Sequence, residues 1–417
     1  MTETAAPVKC DNVYDVLKER GYLAQVTHEA EVREILGKPG ATFYIGFDPT
    51  ANSLHVGHFV QMMVMAHLQR AGHRPIVLLG GGTGMVGDPS GRSDLRQVLS
   101  VDTIRENVSR FREQMKILLD FSEGRALMVD NADWLLPLNY IEFLREIGSQ
   151  FSVNRMLTAE SIKQRLERGL SFLEFNYMLM QAYDFLMLYR RFDCRLQLGG
   201  DDQWSNILAG VDLVRRKEQG EAYGMTFKLL TTSTGIKMGK TAKGAVWLDP
   251  ARTPPFDLYQ YWRNVDDGDV AMCLKLLTFV SMAEIRAYAG LTDTAVNDAK
   301  KRLAFEVTKI VHGEAAAVQV SRQASELFEG AGRSDQMPRS EIGRDRLAAG
   351  VTLLDLLHET GLVPSKGEGR RLMQQNGVYL NDKPVSDITR RLTDDDFTDG
   401  EALIRKGKKI FHCLVLV

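Results

Sequence analysis

Apolar and aromatic residues crowd into Phe43–Phe47 and stop at Asp48-Pro49, which predicts a strand ending in a turn. From Val56 the positions Val56, Val60, Met63, Val64, Leu68 and Ala71 recur at steps of three and four. This spacing predicts a helix opening near His55, capped by Asn52 or Ser53 and stopped by Ala71-Gly72 and Pro75. Met62 and Met65 make it apolar nearly all round, so it belongs in a core. Ile76–Leu79 reads as a buried strand running into a glycine-rich loop, Val101–Leu119 as a helix, and Ala126–Val129 as a short strand followed by the residues NADWL. Leu170–Arg190 reads as one long helix, and Arg195–Leu198 as a strand leading through a glycine turn to a helix that opens at Asp201 or Asp202. Strands alternating with crossover helices predict a parallel sheet with ligands at the carboxyl ends of its strands. FDPT, GDPSG and GGDDQW each fall at such an end, so three polar turns converge on one crevice.

The stretch LLTTSTGIKMGKTAKGA is small, polar and glycine-rich, and reads as a loop carrying Lys237, Lys240 and Lys243. Residues 255–312 read as several helices, while 313–349 drift in composition as a linker would. From Val351, helical VTLLDLLHETG and GRRLMQQNG precede strand signals in VYLNDKPVS, EALIRKGK and KIFHCLVLV, the pattern of a small separate module. The expected division is 1–230, an α/β domain built on a parallel sheet; 231–330, the lysine loop and a helical domain; 331–349, a linker; and 350–417, an α+β module.

Composition narrows the function. The chain has 417 residues, 44% of them hydrophobic and 25% charged, with a net charge of −2, so a polyanion must be met by local patches. Residues 350–417 carry ten basic and ten acidic side chains, with the basic ones clustered at Lys366, Arg370 and Arg371 and again at Arg405, Lys406, Lys408 and Lys409. Cys10, Cys194, Cys273 and Cys413 have neither metal nor disulfide spacing, and no stretch has signal-peptide or membrane-span character. A cytoplasmic protein without a membrane role is expected.

The candidate chemistry sits at the amino end of the Val56 helix, where free N–H groups and the helix dipole favour an anion. His55 and His58 add imidazoles there, and Gly57 between them admits a close approach to the backbone. Two histidines at this spacing are also ordinary polar helix residues, and no second metal-ligand pair stands near them. The literal GxGxxG at Gly82, Gly84 and Gly87 runs into Asp88-Pro89-Ser90-Gly91, turn chemistry that excludes the helix a dinucleotide fingerprint needs. Tyr177, Gln181 and Asp184 share one face of a mostly apolar helix, either as an internal hydrogen-bond set or as a ligand pocket.

HVGH at 55–58 resembles the HIGH signature, and KMGKT at 237–241 the KMSKS signature, of class I aminoacyl-tRNA synthetases. With YIGFDPTANSLHVGH, GDPSG, the Tyr177/Gln181/Asp184 helix and GGDDQW, nearly the whole chain is similar to the bacterial-type tyrosyl-tRNA synthetases. The resemblance implies a Rossmann-like catalytic domain, a helical domain contacting tRNA, and a C-terminal RNA-binding module. It implies activation of L-tyrosine by Mg-ATP, then transfer to tRNA(Tyr), with no tightly bound cofactor or structural metal and with a homodimeric assembly.

By matching positions, Tyr44 and Asp184 resemble the pair that holds the phenol. Asp88, Tyr177 and Gln181 resemble the set around the ammonium, with Asp48 in the same pocket and Gln203 near the carboxylate. Thr50, His55, Lys237 and Lys240 would stabilise the pyrophosphate, while His58, Gly46, Gly57, Gly200, Asp202 and Thr241 would line the ATP site. Arg92 and Arg96 would reach phosphates or tRNA, and Lys366, Arg370, Arg371 and Lys408 would contact tRNA. The departures are Gly239 and Thr241 for the two serines of KMSKS, which bear on loop stiffness, and Gln61 in place of a small hydroxyl residue. A tryptophanyl enzyme shares this fold, but a polar Tyr44/Asp184 pair suits a phenol better than an indole, and those enzymes usually lack the C-terminal module. A catalytically idle RNA-binding relative would not need both signature lysines.

Overall fold

Strand-forming runs pair into a mixed sheet of β1 (Leu23–Val26), β2 (Thr42–Phe47), β3 (Arg74–Leu79), β4 (Leu127–Asp130), β5 (Leu196–Gly200) and β6 (Tyr223–Phe227), in the order β1-β6-β5-β2-β3-β4. The computed structural model describes residues 12–90, 99–166, 169–241, 244–288, 296–328, 338–381, 383–398, 400–407 and 410–417. β2 pairs in parallel with both β3 and β5, and β5 with β6, whereas β1 closes one edge antiparallel to β6. The chain leaves β2 towards β3 on one side and later returns as β5 on the other, so a crevice opens above the carboxyl ends of β2 and β5.

Helices α1 (Val13–Arg20) and α2 (Glu29–Leu36) flank β1, and α3 (Val56–Arg70) crosses from β2 to β3. Nine residues of α3 are buried, among them Val60, Met62, Met63 and Met65, as its all-round apolar sequence requires. Full burial of each such side chain stabilises by about 1.5–3 kcal/mol, so the helix is fixed and its amino end stands still above the crevice. Its cap is His55, and neither Asn52 nor Ser53 takes that place: Asn52 accepts from Arg252, and the Ser53 hydroxyl donates to the Leu54 carbonyl.

Between β3 and β5 run α4 (Val101–Met115), α5 (Ala132–Leu135), α6 (Tyr140–Glu146), α7 (Val153–Leu157), α8 (Glu160–Leu166), α9 (Phe172–Phe175) and α10 (Tyr177–Phe192). The expected single helix over 170–190 is two, broken at Asn176, whose side-chain amide donates to the Phe172 carbonyl at 2.7 Å. Such local side-chain bonding competes with a continuous helix. α11 (Trp204–Glu218) joins β5 to β6. The hairpin β7 (Lys240–Thr241) and β8 (Gly244–Ala245) follows, then α12 (Pro255–Arg263), α13 (Val270–Leu277), α14 (Met282–Tyr288), α15 (Val296–His312) and α16 (Glu314–Phe328). The carbonyls of Lys275 and Leu276 in α13 accept from Arg20 and Tyr22 at 2.7 Å each, which ties this helix to the end of α1 and the turn before β1.

The chain forms two compact units divided between residues 317 and 318. In the second, β9 (Arg339–Ile342), α17 (Arg344–Ala348), α18 (Leu353–Glu359), α19 (Lys366–Gln374), β10 (Val378–Leu380), β11 (Lys383–Pro384), β12 (Glu401–Lys406) and β13 (Ile410–Leu416) build a sheet ordered β11-β10-β12-β13-β9. Part of the stretch read as linker is structured. Residues 314–328 are helical, β9 adds in parallel to β13, and Ile342 and Leu347 enter this unit's apolar core. The polar composition that suggested a linker reflects an exposed edge strand, of which Ile342 is the buried residue.

Candidate active site

β2 delivers Asp48 and Thr50 to the mouth of the crevice, and α3 delivers His55 and His58. His55 Nδ1 accepts the Gly57 N–H at 3.0 Å, while His58 Nδ1 accepts the His55 N–H at 3.2 Å. The two rings stack at 3.9 Å between centroids. With both Nδ1 atoms used as acceptors, each neutral imidazole carries its proton on Nε2, so both present N–H donors at the helix end. Gly57 has a stricter reason than access, because a Cβ there would come 2.8 Å from His55 Cε1 and push the folded-back ring away.

A cavity of about 180 Å³ opens beside these groups and gathers Tyr44, Gly46, Asp48, Thr50, His55, His58, Asp88, Tyr177, Gln181, Asp184, Asp202 and Gln203. Of the expected ATP-site glycines, Gly57 and Gly200 leave room for the His55 and Asp202 side chains and do not line it. At the closed end Asp184 accepts from Trp134 Nε1 at 2.7 Å and from Asn131 Nδ2 at 2.9 Å. Asn131 Nδ2 also donates to Thr83 Oγ1 at 2.9 Å, and Thr83 donates to Asp48 Oδ1 at 2.8 Å. Asp48 Oδ2 accepts from Tyr177 Oη at 2.9 Å. One polar chain thus runs the length of the cavity, from Trp134 to Tyr177.

Tyr44 Oη, Gln181 Oε1 and Gln197 Oε1 are buried with no hydrogen-bond partner among the described residues. Such atoms are costly to leave bare, so a ligand with matching donors and acceptors is expected there. Burial pushes the Asp184 carboxyl up to about 8, against the lowering pull of Asn131 and Trp134. Burial, then the Asp184 charge, raises the Tyr44 phenol well above its ordinary value.

Nearer the mouth, Gln203 Nε2 donates to Asp88 Oδ2 at 2.6 Å, and Gln203 Oε1 accepts from Asn206 at 3.2 Å. Asp201 is held by Gln25 and Thr226, whereas its neighbour Asp202 lines the cavity. Burial and then Asp88 raise the Asp202 carboxyl, while Lys237 lowers it, so the exposed Lys237 acts on this end of the site. The backbone of Lys240 and Thr241 forms β7, but their side chains, together with Arg92, Arg96, Lys243, Lys408 and Lys409, lie outside the described residues.

Sequence reasoning missed Thr83, Asn131, Trp134 and Gln197. None carries a motif; only the run NADWL, polar beside aromatic straight after a strand, hinted at two of them. It also missed Trp247, whose backbone bridges to His55 and whose ring packs edge-on against that imidazole at 5.9 Å.

A helix end rich in N–H donors beside a closed polar slot suits a ligand with an anionic end. Residues 38–329 match the family model for class I tRNA synthetases (W and Y). Residues 330–414 match the model described as the tyrosine–tRNA ligase SYY-like C-terminal domain. Over 406 residues the chain is 61% identical to a tyrosine–tRNA ligase of Acetivibrio thermocellus, covering 97% of this chain and 100% of that protein. It is 58% identical to the tyrosine–tRNA ligase of Caldanaerobacter subterraneus subsp. tengcongensis over 97% of this chain and 99% of that one. A C-terminally truncated mitochondrial tyrosyl-tRNA synthetase of Aspergillus nidulans superposes with a TM-score of 0.69 at 31% identity, over 77% of this chain and 95% of that one. The chain belongs to the tyrosine–tRNA ligase family.

Proposed function

We infer that the chain is a tyrosine–tRNA ligase, which joins L-tyrosine to ATP and then passes the tyrosyl group to the terminal ribose of tRNA(Tyr). The observation that carries this reading is the closed end of the cavity, where the partnerless Tyr44 hydroxyl and the Asp184 carboxyl lie buried together, each 1% exposed. A phenol, at once donor and acceptor, satisfies both. Tyrosine-dependent ATP–pyrophosphate exchange by the purified chain tests it. Exchange driven by tryptophan, or by no amino acid, would sink it.

A tyrosine carboxylate oxygen attacks the α-phosphorus of ATP, the bond to the bridging oxygen breaks, and pyrophosphate leaves. The ribose hydroxyl then attacks the activated carbonyl and AMP departs. The carboxylate is already ionised, so the first step needs no general base, and catalysis rests on donors that meet charge as it moves to the pyrophosphate. We assign this to Thr50, the Nε2–H of His55, Lys237 and Lys240. Asp88, Tyr177 and Gln181 take the ammonium with Asp48, Gln203 takes the carboxylate, and His58, Gly46 and Asp202 take the nucleoside. Thr241, the remaining member of the expected ATP set, lies in the same loop as Lys240. Mg²⁺ enters on the ATP phosphates, held mainly by phosphate oxygens and water.

For tRNA, we assign residues 231–330 and 350–417 as contacting regions, with residues 1–230 as the catalytic domain. Arg370 and Arg371 stand exposed on α19, whereas Lys366 pairs with Asp355 at 2.6 Å and Lys406 donates to the Leu362 carbonyl at 2.7 Å. Arg370→Glu with Arg371→Glu should weaken charging and make its salt dependence shallower by roughly 0.9 for each phosphate no longer neutralised, leaving pyrophosphate exchange unchanged. A double variant with normal charging at every salt concentration would remove α19 from the tRNA surface.

A homodimer is supported by Leu136, Tyr140, Ile141, Val153 and Phe172, large apolar side chains exposed between α5 and α9. Sedimentation at the 46.8 kDa chain mass, and not at twice that, would argue against it. A cytoplasmic location fits Cys194, Cys273 and Cys413, all buried as free thiols.

A further inference from the structure

Gly239 stands where the general signature has serine, and the site described above makes no use of it. Its φ is +82°, and a Cβ there would come 3.1 Å from Val56 Cβ in the first turn of α3. The Gly239 N–H donates to Tyr261 Oη of α12 at 2.8 Å, and the Gly239 carbonyl accepts from the Val246 N–H at 2.8 Å. One residue earlier, Met238 is 9% exposed, its N–H donates to the Leu230 carbonyl, and its Sδ accepts from Cys273 Sγ of α13 at 3.8 Å. At the front of the loop the Ser233 N–H donates to Asp269 Oδ1 at 2.8 Å. The exposed Lys237 therefore rides on a segment pinned on both sides. Its pins belong to α12, to α13 and to the turn before α13, and α13 is itself bound to the end of α1 and the turn before β1 through Arg20 and Tyr22.

We propose that the Tyr261 hydroxyl is a positioning group: while Asp269 anchors the front of the loop at Ser233, Tyr261 seats the KMGKT backbone against α3, and so holds Lys237 at the phosphate end of the site. Gly239 is the residue that lets the backbone reach this seat. The proposal rests on the reading that Lys237 serves the activation step. A hydroxyl with a merely structural role would lower stability without separating ATP turnover from tyrosine binding.

The test uses the full chain and Tyr261→Phe, which removes one oxygen and keeps the ring. Loss of one hydrogen bond should raise the unseated population about 2- to 10-fold. Trypsin cutting after Lys237 in the substrate-free protein should speed up by that factor, and adenylate formation at saturating ATP should slow by a similar one, with the tyrosine Kd unchanged. Gly239→Ala should act the same way through backbone strain. Unchanged cutting in Tyr261→Phe, or faster cutting with a normal rate, would overturn the proposal. If Lys237→Ala leaves adenylate formation intact while Tyr261→Phe still exposes the loop to trypsin, the activation reading fails and the seat stands.

Discussion

Lys237→Ala is expected to slow tyrosyl-adenylate formation by about two orders of magnitude and to leave the tyrosine Kd where it is. The scale is that of one preorganised donor to a developing anion, ~3 kcal/mol of barrier. Lys237 is exposed and acts on Asp202 at the mouth, whereas Tyr44 and Asp184, the pair assigned to the phenol, lie buried at the closed end. Its charge meets the substrate where negative charge collects on the pyrophosphate, so it contributes more in the transition state than in the ground state. The competing role is to neutralise Asp202 before substrates bind. That role predicts a weaker ATP complex with an undiminished rate, and single-turnover kinetics across ATP concentration separates the two. A normal limiting rate in the variant would take Lys237 out of the chemistry.

The parts of this site that sequence made legible are those tied to backbone geometry. An aromatic run broken by Asp-Pro, a helix apolar on every side and three polar turns at strand ends placed the crevice, because the chain's local periodicity and its turn residues decide those features. Tyr177, Gln181 and Asp184 were readable as one polar face because helical spacing is regular, and all three line the cavity. Asn131, Trp134 and Thr83 were not readable, since their roles arise only when β3 and β4 stand side by side and bring the loops after them against α10. The break at Asn176 and the strand at Arg339–Ile342 were missed for a related reason: a single side-chain bond and a parallel pairing with the distant β13 leave no periodic trace.

Asp184 carries the second large effect. The carboxyl already accepts from Trp134 and Asn131, and a bound donor draws it to the ionised form, in which each oxygen keeps a further lone pair; Tyr44 Oη, beside it, has no partner among the described residues. A phenol completes both, and phenylalanine completes neither. Asp184→Asn turns one acceptor oxygen into an NH₂ that must face a protein N–H, so tyrosine should lose about 3 kcal/mol, roughly a hundredfold in kcat/KM. Phenylalanine, which gained nothing from the carboxylate, should lose little, and selectivity should fall by nearly the whole factor. Tyr44→Phe removes one neutral partner, about 0.5–1.5 kcal/mol, and should move selectivity far less. Equal losses on both amino acids in Asp184→Asn would mean that the carboxylate shapes the pocket without reading the phenol.

The same residue should give the ligand-free protein a stability that declines with pH. Burial holds the folded Asp184 carboxyl at about 8, against an ordinary 3.8, so between those values the folded chain keeps a proton that the unfolded chain has released. Stability falls with pH wherever the folded state binds more protons, so this contribution is present in full below about pH 4 and is lost as pH rises through about 8. Asp184→Asn has no proton to lose. Its Tm relative to the parent should therefore shift in the variant's favour between pH 5 and pH 8.5, even though one misplaced NH₂ makes it the less stable protein at pH 5. Tyrosine, by giving the carboxylate a donor, should narrow the gap at the alkaline end. A Tm difference that stays constant across this range would show that Asp184 is ionised in the empty pocket at pH 5, with Trp134 and Asn131 outweighing its burial.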